Sequence, residues 1–239
     1  MSVAEAISHD KNGGALFARL CDASAGEWHD YTHHPFIVAL AAGTLPEAAF
    51  RAYLIQDFIF LRHFARAYGL AAYKAESLEE IRAASRGLHA IIDVEISLHE
   101  KYCAGWGVDL AALESAPEHS ATLAYTRYVL EQGMAGDLLD LFVALAPCIL
   151  GYGEIGARLL GDKDTRLADN PYGDWIEMYG GGEYQETAAE AGAFLQKIGE
   201  ARGAGQRMTK LSATFRQATR LETAFWQMGL AAADCEVNG

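Results

Sequence analysis

The stretch Phe50-Arg51-Ala52-Tyr53-Leu54-Ile55-Gln56-Asp57-Phe58-Ile59-Phe60-Leu61-Arg62-His63-Phe64-Ala65-Arg66-Ala67-Tyr68 decides the fold. Phe50, Tyr53, Leu54, Asp57, Leu61, Phe64 and Tyr68 recur with the 3.6-residue period of a helix that buries one face. The helix is expected over 46–74, with Thr44 as N-cap, Pro46 at its start and Glu47 in the first turn, where the helix dipole favours an acid. The same period predicts helices near 13–31, 35–42, 77–104, 119–134, 137–161, 171–179, 184–202 and 206–233. Alternating apolar and polar runs bounded by turns, the mark of strands, are hard to find. Gly43, Gly136, Gly161 and Gly180-Gly181-Gly182 read as breaks. The longest irregular stretch, 161–171, is too short for a domain linker. The expectation is one all-α helical bundle over residues 1–239, with about residues 1–12 loose.

Composition bounds the function. Of 239 residues, 51% are hydrophobic, enough for a sizeable core. Thirty-two acidic residues against 19 basic give a net charge of -13, and no Lys/Arg cluster stands out. Nucleic-acid and anionic-membrane binding are therefore not expected. Cys21, Cys103, Cys148 and Cys235 form no C-x-x-C pair, which suits a reducing, cytoplasmic setting. The N-terminus has no apolar run of signal length, and no uninterrupted apolar segment reaches the roughly 18 residues of a membrane span. Gly180-Gly181-Gly182 lacks the lysine and strand context of a phosphate loop, and no G-x-S-x-G elbow occurs.

Chemistry gathers on three stripes. Ala144-Leu145-Ala146-Pro147-Cys148-Ile149-Leu150-Gly151-Tyr152 places a thiol and a phenol at i and i+4, just after a proline. The stripe Leu141, Leu145, Cys148, Tyr152, Ile155, Leu159 is expected to point inward. Pro147 removes one helical hydrogen bond and tends to bend the axis, making room beside the thiol. Asp57 lies on the apolar face of its helix. Glu222 does so among Phe215, Ala218, Phe225, Trp226 and Gly229. A carboxylate on a core face loses hydration and needs partners; either acid by itself is equally a structural hydrogen-bonding group. Two inward acids and an inward thiol on three helices suggest a pocket, and Tyr125, Tyr152 and Tyr179 are candidates to line it. Glu154, two residues past Tyr152, should point away from that face. Glu95 and His99 sit at i and i+4, with His89 nearby. They lack the repeated Glu-x-x-His of di-iron bundles, so no metal or other cofactor is expected. His33-His34 before Pro35 reads as a turn between helices.

The chain resembles the TenA (thiaminase II, aminopyrimidine aminohydrolase) family from about residue 15 to 230. The resemblance rests on His34-Pro35-Phe36 with Gly43-Thr44-Leu45, Phe50-x-x-Tyr53-x-x-Gln56-Asp57, Pro147-Cys148-x-x-x-Tyr152-x-Glu154-x-Gly156, Trp175-Ile176-x-x-Tyr179-Gly180-Gly181 and Glu222-x-x-Phe225-Trp226. Their order and spacing together are specific. The resemblance implies a haem-oxygenase-like helical bundle, usually a homotetramer. It implies hydrolysis of 4-amino-5-aminomethyl-2-methylpyrimidine and of thiamin to 4-amino-5-hydroxymethyl-2-methylpyrimidine, in thiamin salvage. Cys148 then corresponds to the nucleophile, Asp57 to the pyrimidine-binding acid, Glu222 to the acid/base serving the leaving group, and Tyr125, Tyr152 and Tyr179 to pocket tyrosines. Phe60 stands where the family often has a phenol, so its ring would pack on substrate without that hydroxyl. A haem-oxygenase-like metal oxidase using Glu95 and His99, and a non-catalytic pyrimidine binder, are the competing readings.

Overall fold

A computed structural model describes residues 14–237; the expectation that residues 1–12 are loose falls outside them. The helices in chain order are α1 (14–22), α2 (Ala25–Thr32), α3 (Pro35–Ala41), α4 (Glu47–Lys74), α5 (Leu78–Ala90), α6 (Ile96–Gly105), α7 (Leu110–Ser115), α8 (Ser120–Ala135), α9 (Leu138–Ala146), α10 (Tyr152–Gly161), α11 (Gly173–Gly180), α12 (Gly182–Ala201) and α13 (Ala204–Val237). Two π turns are inserted without a break in the backbone: Ile91–Glu95 joins α5 to α6, and Pro147–Gly151 joins α9 to α10. Among the described residues there is no strand.

The periodic stripes become buried faces. Phe50, Tyr53, Leu54, Asp57, Leu61, Phe64 and Tyr68 of α4 are all buried, as are Phe215, Ala218, Glu222, Phe225 and Trp226 of α13. Leu138–Gly161 is long and apolar enough, by length and composition, to cross a membrane, yet 89% of its apolar window is buried inside the protein. That is the signature of a core helix.

Three boundaries differ from expectation. The helix expected over 13–31 is two, broken at Ala23-Ser24, where the Ser24 N–H turns back to the Cys21 carbonyl at 3.0 Å. Thr44 does not cap α4: Pro46 occupies the N-cap position, and the Thr44 hydroxyl bonds the Ala39 carbonyl instead. The short α7 was too brief to show a period; Asp109 caps it, accepting from the Ala112 N–H at 2.8 Å. The His33-His34 turn is as expected, with His34 Nδ1 accepting from the Phe36 N–H to start α3.

The described chain forms two compact units. One holds residues up to Leu45 and Phe142–Thr223. Trp28 stacks on Phe215 there (ring centroids 5.4 Å apart) and meets Phe17 and Tyr31 edge-on. In the same unit α10 and α11 touch through glycine. A Cβ on Gly156 would lie 2.3 Å from the Tyr179 carbonyl carbon, and one on Gly180 would lie 2.6 Å from the Gly156 carbonyl oxygen. The other unit holds Pro46–Leu141 and Ala224 onward, built around α4 with α5, α6, α7 and α8 against it.

Candidate active site

In the α4 unit, the acid on the core face of α4 acquires two partners. Asp57 is 4% exposed. Its Oδ2 accepts from the Tyr53 hydroxyl, one turn earlier, at 3.0 Å and lies 2.7 Å from His99 Nε2 of α6. The other side of the His99 ring, Nδ1, is 2.7 Å from the Glu95 carbonyl oxygen, in the π turn that leads into α6. A carbonyl only accepts, so Nδ1 carries a proton. Burial works against charging His99, but the hydrogen bond and negative charge of Asp57 outweigh it and raise its proton affinity. Desolvation, and then the Asp57 charge, push the Glu95 carboxyl up to about 7.

Both ring nitrogens of His99 are thus committed to hydrogen bonds, which leaves no lone pair for a metal. No metal-binding group of three His, Cys, Asp or Glu occurs among the described residues. The geometry gives the metal-oxidase reading no support. His89 instead pairs with Asp93 at 2.5 Å on the exposed face.

Phe60 and Tyr125, both buried, face each other in this unit with ring centroids 4.8 Å apart, and Phe225 lies 5.9 Å from Phe60. Tyr53 packs against Trp226 at 5.1 Å. The candidate acid and two of the candidate aromatics therefore share one unit.

In the other unit, Leu145, Tyr152, Ile155 and Leu159 are buried as the stripe requires, but Cys148 is only partly buried. This corrects the expectation of a fully inward thiol. The cause is the π turn, which begins at Pro147 and bonds i to i+5 where an α-helix bonds i to i+4, turning Cys148 off the 3.6-residue stripe. Two phenols bond carbonyls of this turn: Tyr31 donates to Pro147 O and Tyr184 to Ile149 O, each at 3.2 Å. Such π insertions are frequent at functional sites. Burial holds the Cys21 thiol well above its ordinary value and that of Cys103 up to about 11, so both stay protonated and unreactive. The side chain of Cys235 lies outside the described residues.

Tyr152 and Tyr179 are buried with ring centroids 4.9 Å apart, and Trp175 packs beside them with its ring tilted, 4.6 Å from Tyr179. The Gly156–Gly180 contact sets this spacing, because it lets α11 lie on α10 backbone to backbone. Glu222 belongs to this unit and is 2% exposed. Glu154 accepts from the Trp28 indole N–H at 3.1 Å.

The residues missed from sequence are Tyr53 and His99 as partners of Asp57. Tyr53 was within reach, at i−4 on the same stripe. His99 is 42 positions away, and only the packing of α6 on α4 joins them.

The TENA/THI-4/PQQC family profile matches residues 22–232. An aminopyrimidine aminohydrolase of Halalkalibacterium halodurans is 34% identical over 213 residues, covering 88% of this chain and 93% of that protein. A crystal structure described as a TenA family transcription regulator, from Silicibacter sp. TM1040, is 43% identical, with TM-score 0.87, over 92% of this chain and 98% of that one. A Shewanella denitrificans domain of haem-oxygenase-like fold, 15% identical with TM-score 0.69 over 89% of this chain and 91% of that one, shows the fold alone. On the family match and the identity to its relatives, this all-helical, haem-oxygenase-like chain belongs to the TENA/THI-4/PQQC family.

Proposed function

We propose that this chain is an aminopyrimidine aminohydrolase (thiaminase II). In this reading it hydrolyses 4-amino-5-aminomethyl-2-methylpyrimidine, and also thiamin, to 4-amino-5-hydroxymethyl-2-methylpyrimidine in thiamin salvage. One observation carries the reading beyond family membership. Along a helix otherwise packed into the core, the π turn leaves Cys148 partly exposed, where a thiolate can reach a substrate. A non-catalytic binder has no need of an accessible thiol.

Displacing an amine directly from the methylene of an aromatic ring is slow. In the proposed route the Cys148 thiolate adds to the ring carbon beside the one bearing the methylene, and the ring loses aromaticity as electrons move into it. Those electrons then expel the amine, which leaves with a proton from Glu222. General acid assistance of this kind is worth roughly 10²–10⁴-fold. Water adds to the exposed methylene carbon, returning a proton to the Glu222 carboxylate, and the thiolate departs as the ring regains aromaticity. Asp57 holds the aminopyrimidine edge by a charge-assisted hydrogen bond. Tyr125, Tyr152, Tyr179 and Phe60 supply flat surfaces for the ring, with Phe60 offering no hydroxyl. No cofactor enters the scheme. A single domain over residues 1–239, a homotetramer and a cytoplasmic location go with this reading.

The test is direct. Purified protein is incubated separately with the aminomethylpyrimidine and with thiamin, following the hydroxymethyl product and the released ammonia or thiazole. Product from at least one of the two substrates is expected, and the ratio of rates names the preferred one. No product from both would overturn the proposal.

A further inference from the structure

The geometry behind Asp57 restricts how that acid can meet a ligand. Both of its hydrogen bonds, from Tyr53 and His99, fall on Oδ2, while Oδ1 has no partner among the described residues. Two donors fill the two lone-pair directions of Oδ2. An aminopyrimidine edge could engage a free carboxylate through both oxygens; here one oxygen remains.

We propose that His99 and Glu95 are positioning residues that aim Asp57: the His99 ring, anchored through Nδ1 on the Glu95 carbonyl, pins Oδ2 so that Oδ1 alone meets the ligand, as an acceptor for an N–H. The open oxygen calls for an N–H donor, which on the proposed function is the exocyclic amine of the ring; a carbonyl oxygen at that position would set acceptor against acceptor. This inference rests on the proposed function for the identity of the ligand.

The same geometry predicts where the grip fails. The charged groups that bear on His99 are Asp57 of α4 and Glu95 of the π turn, with the Tyr53 phenol on the same carboxylate oxygen. Nδ1 keeps its proton because it faces a carbonyl. When His99 loses its second proton, the bare Nε2 lone pair faces Oδ2 at 2.7 Å, and the pair repels. Asp57 then loses its orientation, and ligand binding weakens on the alkaline side. Ionised Glu95 favours the imidazolium, so removing its charge brings that loss to lower pH.

The experiment measures kcat and KM against pH for wild type, H99Q, H99L and E95Q, and the Kd of each for 4-amino-5-hydroxymethyl-2-methylpyrimidine and for its 4-oxo analogue. Wild type is expected to show KM rising at alkaline pH and to reject the oxo analogue. Gln at 99 keeps an uncharged N–H donor, so H99Q should retain the neutral-pH KM and lose the alkaline rise. H99L should raise KM roughly 10–100-fold, the loss of a hydrogen bond to a charged group, with kcat changed less. E95Q should move the alkaline rise to lower pH. An H99Q profile identical to wild type, or an H99L with wild-type KM and discrimination, would overturn the inference.

The ring nitrogens of His99, read by ¹⁵N NMR in the ligand-free protein near neutral pH, give a measure independent of turnover. Two protonated nitrogens support the inference. A single proton on Nδ1 refutes it, even if the protein binds none of these pyrimidines and the functional reading has failed.

Discussion

The π turn at Pro147–Gly151 and the π turn at Ile91–Glu95 are the same device, one extra residue wound into a helix, serving two kinds of side chain. The first opens its helix around a thiol. Pro147 has no N–H to give, Tyr31 and Tyr184 bond two of the turn's carbonyls, and Cys148 stays partly exposed while its neighbours are buried. The second leads into a closed chain of hydrogen bonds, from the Glu95 carbonyl through His99 to Asp57, in which His99 is wholly buried. On the proposed function Cys148 is the nucleophile and must be reachable, which its partial exposure allows. Asp57, the recognition acid of the proposed function, has the opposite surroundings: dehydration strengthens each hydrogen bond it makes, and Tyr53 and His99 hold one of its oxygens.

The comparison can be broken first at the thiol. C148S should lower turnover by roughly a thousandfold or more, because a serine hydroxyl at neutral pH is a far weaker nucleophile. A serine variant of near wild-type rate, with an unchanged circular dichroism spectrum, would remove the covalent route and the reason given for the open π turn. D57N comes next. It keeps the shape but leaves His99 Nε2 facing an amide in place of a carboxylate, and kcat/KM should fall on the order of 10²–10³-fold, mostly in KM. If kcat alone fell, Asp57 would belong to the chemistry and its contrast with Cys148 would dissolve.

Stability measurements sharpen the same contrast. G156A should lower Tm by several degrees. Its methyl would meet Tyr179 backbone 2.3 Å away, and overpacking of this kind costs about 1–3 kcal/mol. The spacing of Tyr152 and Tyr179 should change with it, while the NMR signature of His99 stays that of wild type.

The pH dependence of stability probes the other π turn. Glu95 titrates near 7 in the fold against an ordinary 4.5, so between those values the native state binds more protons than the unfolded one. Stability should therefore fall as pH rises from about 4.5 through 7. E95Q removes that slope, so it should match wild type near pH 4 and be more stable at pH 8, by on the order of 1–3 kcal/mol. Denaturant midpoints at the two pH values check this; equal differences at both would mean that Glu95 is not the group responsible.

What could be read in advance was whatever repeats along one helix. The stripes of α4 and α13, the burial of Asp57 and Glu222, and the junction at His34-Pro35 follow from local periodicity and the missing N–H of proline. Thr44 was misread because its hydroxyl found the Ala39 carbonyl, a bond that local spacing does not announce. Cys148 was placed too deep because a straight 3.6-residue wheel assumes no π insertion. His99 was weighed as a metal ligand because its acid was sought four residues away, whereas the acid that matters lies on another helix.

The sequence by itself determined the helical class, the buried faces and the residue types able to do this chemistry, since these depend on period and side-chain character. Tertiary structure decided how far each group is exposed and to what it is bonded. It set the partial exposure of Cys148, the two hydrogen bonds on one oxygen of Asp57 and the raised proton affinity of His99. Those properties come from helices brought together across long separations in the chain, where desolvation and hydrogen-bond partners exist only once packing is complete.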